Sequence, residues 1–195
     1  MPKKKDMRFE KTEHALKSAF IDLLTTKGFD KISVKMIIDQ AGINRSTFYA
    51  HYLDKFDLMD KIETELLDLL IVDLPEIDWH SDENLTTQFQ KRSVGIVQKI
   101  SEQRDMVVLL LSDKAGHSFE QHLQTRSRAM FSDVIADQEL TIPKEYAMVL
   151  LTNTVASLLT TWVRNGFQES DADFTTILSK TMPSIASQLF IQNDN

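Results

Sequence analysis

Three side chains at the start of one predicted helix could contact the base edges of a DNA duplex. Arg45 carries a planar guanidinium fork that matches guanine O6 and N7, a contact worth roughly 1–3 kcal/mol of discrimination between bases. Ser46 can donate or accept a hydrogen bond, and Ala50 can touch a thymine methyl group. We therefore predict base contacts at Arg45, Ser46 and Ala50.

The segment from residue 33 to residue 55 is predicted to position these side chains as two short helices joined by a tight turn. Ser33 can cap the first helix, Gly42 can adopt positive φ in the turn, and Asn44 can cap the second helix. Phe48 and Tyr52 lie four residues apart and can face the core. Two helices at a steep angle, with polar and basic residues on the second, form a helix-turn-helix.

Together with the helix before it, this segment resembles the DNA-binding domain of the TetR family of transcriptional regulators. The resemblance covers roughly residues 10–62 and is carried by Gly28, Phe29, Ile32, Ser33, Val34, Ala41, Gly42, Ile43, Asn44, Thr47, Phe48, Tyr49, His51, Tyr52, Lys55 and Leu58. It implies phosphate contacts at Thr47, Tyr49, His51 and Lys55. Ser33 can add its hydroxyl and a free backbone N–H at a helix N-terminus. A helical corner without a DNA role is the alternative interpretation of the segment.

Composition excludes several function classes. The 195 residues contain no cysteine and only five glycines, so disulfides, thiol catalysis and cysteine-based zinc sites are excluded. The motifs of serine hydrolases, phosphate-binding loops and zinc proteases are missing, so we predict no enzyme activity and no cofactor. His117 and His122 are five residues apart rather than the four that places two ligands on one helical face. No metal site is predicted.

Charge is unevenly distributed along the chain. Residues 1–61 contain 12 Lys or Arg and 9 Asp or Glu, a net +3, although the whole chain carries −7. A mildly basic head on an acidic body suits a head that meets phosphates. Lys3, Lys4 and Lys5 are predicted to form a disordered arm, which could follow DNA phosphates or reach a minor groove, or could be a solvated tail. The basic N-terminus lacks the apolar segment of a secretory signal, which favours a cytoplasmic protein.

Apolar residues recur at helical spacing along the chain, and no strand pattern of any length occurs. We predict an all-α protein with about nine helices. Residues 1–61 are expected to form a three-helix DNA-binding domain, and residues 62–195 a helical domain for effector binding and dimerisation.

Residues 146–163 are uncharged over 18 positions, near the length of a membrane span. Six of them are Thr, Asn or Ser, so burial against the core and a partner subunit explains the run better, and no membrane contact is predicted. The TetR resemblance implies a homodimer through the last two long helices. Pro183 lies inside the last helix and is expected to kink or break it near Ser179.

The resemblance also implies an effector bound in the C-terminal domain, which would change the spacing of two DNA-binding heads, most often those of a repressor at a palindromic operator. Candidate pocket residues are aromatic, Met or His side chains: Trp79, Phe89, Met106, His117, Phe119, His122, Met130, Phe131 and Trp162. Each of these could instead be ordinary core or surface.

A protein partner remains an alternative to a small-molecule effector. The segment from Trp162 to Phe167 resembles regulators of dihydroxyacetone-kinase operons, which work with a protein coactivator. The remaining alternative is a helical regulatory module that acts through such a partner.

Overall fold

The computed structural model describes residues 4–78, 81–136 and 139–190, with backbone only at residues 4–6, 133 and 134. Within these ranges it contains nine α-helices and no strand, which confirms the all-α prediction. The helices are α1 Lys4–Lys27, α2 Val34–Ala41, α3 Arg45–Tyr49, α4 Lys55–Ile71, α5 Leu85–Glu102, α6 Arg104–Leu110, α7 Ser118–Val134, α8 Lys144–Arg164 and α9 Asp171–Leu189.

The first helix is longer than the sequence pattern suggests. Lys4 and Lys5 belong to its first turn, so the predicted disordered arm is wrong for these two residues, and Lys3 lies outside the described residues. The physical reason is that residues 4–27 contain neither proline nor glycine, so nothing interrupts a helix that the apolar stripe of its second half anchors.

One hydrophobic core connects the N-terminal head to the body. Phe20 and Phe48 of the head, Leu66 of α4, and Val107 and Trp162 of the body all belong to the same cluster of buried side chains. Because α4 packs on the head at one end and on α5 and α7 at the other, it can transmit a displacement between them. The domain boundary at residues 61 and 62 stays a prediction.

The last helix passes through its proline without a break. Pro183 is buried inside α9, which continues from Asp171 to Leu189, so the predicted break near Ser179 is wrong, whereas a kink there stays a prediction. Proline removes one backbone donor from the helix, but α9 packs along α5 more extensively than any other pair of described helices. That packing holds both sides of the proline in one helix.

Helix α8 is long and apolar enough to cross a membrane by length and composition alone. Half of its most apolar window is nevertheless buried inside the protein. A core helix passes the same test, and α8 packs against α6, α7 and α9.

Candidate nucleic-acid interface and ligand cavity

Two helix caps and one glycine in the left-handed conformation define α2, α3 and the turn between them. The Ser33 hydroxyl accepts the Met36 N–H at 3.3 Å, which caps α2. Gly42 ends α2 in the left-handed region at φ 66°, where a residue without Cβ is unstrained. Asn44 Oδ1 accepts the Thr47 N–H at 2.8 Å and caps α3. These residues therefore have the local roles that the sequence predicts.

One side of α3 anchors it, and the other faces solvent. Phe48 is fully buried, and its ring lies 6.0 Å from that of Tyr52, which is also buried. Arg45, Ser46, Tyr49 and Ala50 are exposed. Since the anchoring residues are aromatic and lie in the core, they fix α3 with its other face toward solvent.

Arg45 and Tyr49 pair on this exposed face. The guanidinium carbon lies 5.5 Å from the centre of the Tyr49 ring, and one Nη donates to the phenol oxygen at 3.4 Å. Such a contact restricts the arginine without using most of its five N–H donors. The guanidinium fork remains available to a base edge.

The cap residue Asn44 also sets the polarity of the two hydroxyls next to Arg45. Ser46 Oγ and Thr47 Oγ1 donate to Asn44 Oδ1 at 2.7 and 2.8 Å. With their hydrogens used, both hydroxyls offer lone pairs outward. Ser46 is therefore prepared to accept from a base amino group rather than to donate to a base carbonyl.

His51 and Lys55, two of the predicted phosphate-contacting residues, also have partners inside the head. His51 stacks on Phe9 at 3.8 Å between ring centres, and burial lowers the pKa of its imidazole, partly opposed by the charge of Glu13. Lys55 Nζ donates to the carbonyls of Phe29 and Ile32 at 2.9 and 3.0 Å. A phosphate contact at either residue stays a prediction. At His51 it requires an N–H of the neutral imidazole, and at Lys55 it requires the third ammonium proton, which neither carbonyl uses.

The candidate pocket residues do not form one site. Phe89, Met130 and Phe131 line a cavity of about 540 Å³ among α4, α5, α7, α8 and α9, hereafter the body cavity. His117 and His122 line a second cavity of about 580 Å³ where α4 and α7 approach the head. Trp79 lies outside the described residues.

Met106, Phe119 and Trp162 line neither of these two cavities, and a ligand contact at these residues stays a prediction. The Trp162 ring stacks on Phe174 at 4.2 Å, and its Nε1 donates to the Glu169 carbonyl at 3.0 Å. Phe119 is buried in the shared core, and Met106 packs against it. These residues face inward on their helices, and apolar periodicity alone cannot distinguish a filled core from the wall of a cavity.

The sequence interpretation missed Arg92 and Glu63, two charged residues on apolar helix faces. Arg92 follows Phe89 by three residues and precedes Ile96 by four, and all three line the body cavity. Glu63 lies among Met59, Ile62, Leu66 and Leu67 on the buried face of α4. A charge in phase with an apolar stripe was the available signal in both cases.

Glu63 connects α4 to α7 in a site with little solvent. Its side chain is 1% exposed, and Ser118 Oγ donates to Oε1 at 2.6 Å. Nδ1 of His122 lies 3.4 Å from Oε2, close enough for attraction but not aligned for a hydrogen bond, so Oε2 has no donor among the described residues. Burial raises the pKa of the Glu63 carboxyl, while the Ser118 hydrogen bond and the nearby His122 oppose the rise.

Replacing Glu63 with glutamine should make protein stability less dependent on pH. In the folded protein the pKa of Glu63 lies above its ordinary value of 4.5. The protonated acid therefore contributes stability that is fully present below pH 4.5 and is lost as the pH rises through the folded-state pKa. Glutamine cannot ionise. The free energy of unfolding of Glu63→Gln should therefore exceed that of the parent protein by about 1–3 kcal/mol at neutral pH and equal it in acid. Urea unfolding at both pH values measures the difference.

The exposed Glu10 supplies the control for this experiment. Glu10→Gln makes the same chemical change at an exposed position, where a substitution changes stability by at most about 0.5 kcal/mol. If the unfolding free energy of Glu63→Gln changed with pH in parallel with that of the parent, ionisation of Glu63 would not be the source of the loss of stability at neutral pH.

The geometry defines a class of protein: a helix-turn-helix DNA-binding regulator whose head shares a core with a helical body. Sequence models of two families match the chain. The model described as "Bacterial regulatory proteins, tetR family" matches residues 18–62, and the one described as "Transcriptional regulator C-terminal region" matches residues 87–184. The chain belongs to the TetR family of transcriptional regulators, which are DNA-binding regulators and not enzymes.

Individual relatives agree with this assignment. An uncharacterised helix-turn-helix transcriptional regulator of Bacillus subtilis, YvdT, is 30% identical over 121 residues, which cover 62% of this chain and 60% of that protein. A TetR transcriptional regulator from Streptococcus agalactiae has a similar structure, with TM-score 0.68, 22% identity and coverage of 91% of this chain and 97% of that one. The structure of NalD of Pseudomonas aeruginosa, the secondary repressor of the MexAB-OprM multidrug efflux pump, is also similar. Its TM-score is 0.62 at 17% identity, with coverage of 95% of this chain and 100% of that one.

Proposed function

We propose that this regulator binds a palindromic DNA operator as a homodimer in the cytoplasm and represses transcription until an effector enters the body cavity. The exposed face of α3, with Arg45 at its start and Phe48 anchored behind it, is the observation that carries the proposal. Repression is supported by the description of NalD as a repressor.

In the proposed complex, α3 enters the major groove. Arg45 would bind guanine O6 and N7, Ser46 would accept from a base amino group, and Ala50 would touch a thymine methyl group. The flanking phosphate contacts would come from Ser33, Tyr49, His51 and Lys55, and from Thr47 once its hydroxyl hydrogen turns from Asn44 Oδ1 to a phosphate. Because the Ser33 hydroxyl accepts from the Met36 N–H, its hydrogen is available to a phosphate oxygen.

Apolar side chains exposed on the last two helices support the homodimer. Tyr146, Val149 and Leu150 of α8 are exposed at spacings of three and four residues, and α9 exposes Ile177. This face of α8 belongs to the uncharged run of residues 146–163. A two-fold interface here would bring two heads to successive major grooves, about 34–36 Å apart or a multiple of that distance.

Helix α4 is the proposed route from effector to DNA. Leu67 and Ile71 near its C-terminal end line the body cavity, whereas its N-terminal residue Lys55 hydrogen-bonds the carbonyls of Phe29 and Ile32 in the head. A ligand that displaces one end of a rigid helix also moves the other end. A shift of the two heads would change their spacing and release the operator.

Selection of binding sites from random duplex DNA tests the DNA-binding proposal. We expect a palindromic consensus whose half-sites are about 10–10.5 base pairs, or a multiple, apart. Affinity for the selected sequence should fall steeply with salt, since phosphate contacts release counterions. Folded protein that enriches no sequence, or an affinity that does not respond to salt, would contradict operator binding.

A further inference from the structure

Arg92 is a half-buried cation on the wall of the body cavity with no carboxylate partner among the described residues. Its Nη1 donates to the Pro75 carbonyl at 2.7 Å, and its Nη2 lies 3.0 Å from the Met130 sulfur, a weak acceptor. Burial lowers the pKa of the Arg92 guanidinium, and the charge of Glu76 opposes this only in part. Two of five N–H donors are used, one of them on a poor acceptor.

A second arginine on the same cavity, Arg126, differs from Arg92 because it has an ion-pair partner. Nη2 of Arg126 lies 3.2 Å from Asp68 Oδ1, and both side chains are more than half exposed. That charge is hydrated and already compensated. A half-buried cation without an ion pair is unfavourable, and Glu76 on the same cavity wall offsets the charge of Arg92 only in part. An anion inside the cavity would complete this compensation.

The rest of the cavity wall is mostly apolar. Around Arg92 it is lined by apolar side chains such as Phe89, Ile96, Phe131 and Leu159, by the buried hydroxyls of Ser93 and Ser127, and by one carboxylate, Glu76. A volume of about 540 Å³ lies within the range of small-molecule sites. The wall therefore combines a surface for a hydrocarbon chain with one arginine, Arg92, that has no ion-pair partner among the described residues.

We infer that the body cavity binds an amphipathic monoanion, with its carboxylate or similar head group on the Arg92 guanidinium and its apolar tail among the surrounding side chains. This inference rests on the proposed function, because it names the chemical class of the effector. The head group would displace the Met130 sulfur and bind the guanidinium fork in a bidentate manner. The tail would reach Leu67 and Ile71 of α4, the helix that leads to the DNA-binding head.

Isothermal titration of the full-length protein with sodium decanoate and with 1-decanol tests the assignment. The two probes share a ten-carbon chain and differ in head group. We expect decanoate to bind at least tenfold more tightly, since a charge-assisted pair strengthens binding by about that factor. Arg92→Gln should remove this preference and leave decanol affinity unchanged, and Arg92→Lys should retain part of it.

Arg126→Gln is the matched control, because it removes a cation that lines the same cavity but is paired with Asp68. It should keep the preference for decanoate. Equal binding of decanoate and decanol, no binding of either, or an unchanged preference in Arg92→Gln would each overturn the inference. If Arg92→Gln fails to fold, the comparison of probes on the parent protein and on Arg92→Lys still decides.

Operator affinity measured without decanoate separates this inference from the proposed function. Operator binding by a protein that does not bind decanoate would reject the ligand class and retain the regulator. Decanoate binding by a protein that does not bind the operator would retain the ligand class and reject the proposed operator binding.

Discussion

Replacing Arg45 with alanine should reduce operator affinity by about 5- to 150-fold per half-site, which corresponds to roughly 1–3 kcal/mol. The loss should also be specific to sequence. Arg45 is exposed and held over Tyr49, with the guanidinium fork still available. Removing it should blur the consensus at one base pair in each half-site while the remaining positions keep their preference. Binding-site selection with both proteins measures affinity and preference together.

Two further variants separate readout from simple charge. Arg45→Lys keeps the positive charge but loses the planar fork, so it should recover affinity for non-specific DNA and little of the base preference. Arg128→Ala removes an exposed cation from α7, far along the chain from α3, and should change neither. If Arg45→Ala weakens every sequence equally, Arg45 contacts a phosphate and not a base.

The helix-turn-helix was predictable because its determinants are local. Ser33, Gly42 and Asn44 act on residues one turn away or less, and these distances are visible in the sequence. The all-α class followed in the same way from apolar periodicity. The break expected at Pro183 failed because a long-range contact, the packing of α9 on α5, outweighs a local disfavoured residue.

The body cavity was only partly predictable, for a physical reason. Phe89 lines it and Phe119 does not, although both are buried phenylalanines on amphipathic helices. The difference depends on which neighbouring helix fills the adjacent space, and no short sequence window contains that information. A charge on an apolar face, as at Arg92, is a stronger indication than another aromatic residue, since burying a charge needs a compensating partner.

A glutamate at Val149 should convert the proposed dimer to a monomer and lower operator affinity by about 10²- to 10⁴-fold. Val149 is 49% exposed on the uncharged face of α8. In a two-fold interface, each substitution would place a carboxylate against the apolar surface of the partner, so the cost of desolvating that charge opposes association. The affinity loss follows because two linked heads bind as one unit, and separate heads lose that effective concentration. Sedimentation velocity and operator titration measure the two effects.

The exposed valine on α5 tests whether position or hydrophobicity matters. Val94 is 50% exposed, nearly equal to Val149, but lies outside the last two helices. Val94→Glu should stay dimeric and bind the operator normally, because a glutamate on a solvated helix face is tolerated. If both variants dissociate, the interface extends beyond α8 and α9, and if neither does, it lies elsewhere. A Val149→Glu monomer with native helix content and full operator affinity would separate operator binding from dimerisation, which the geometry of paired major grooves does not allow.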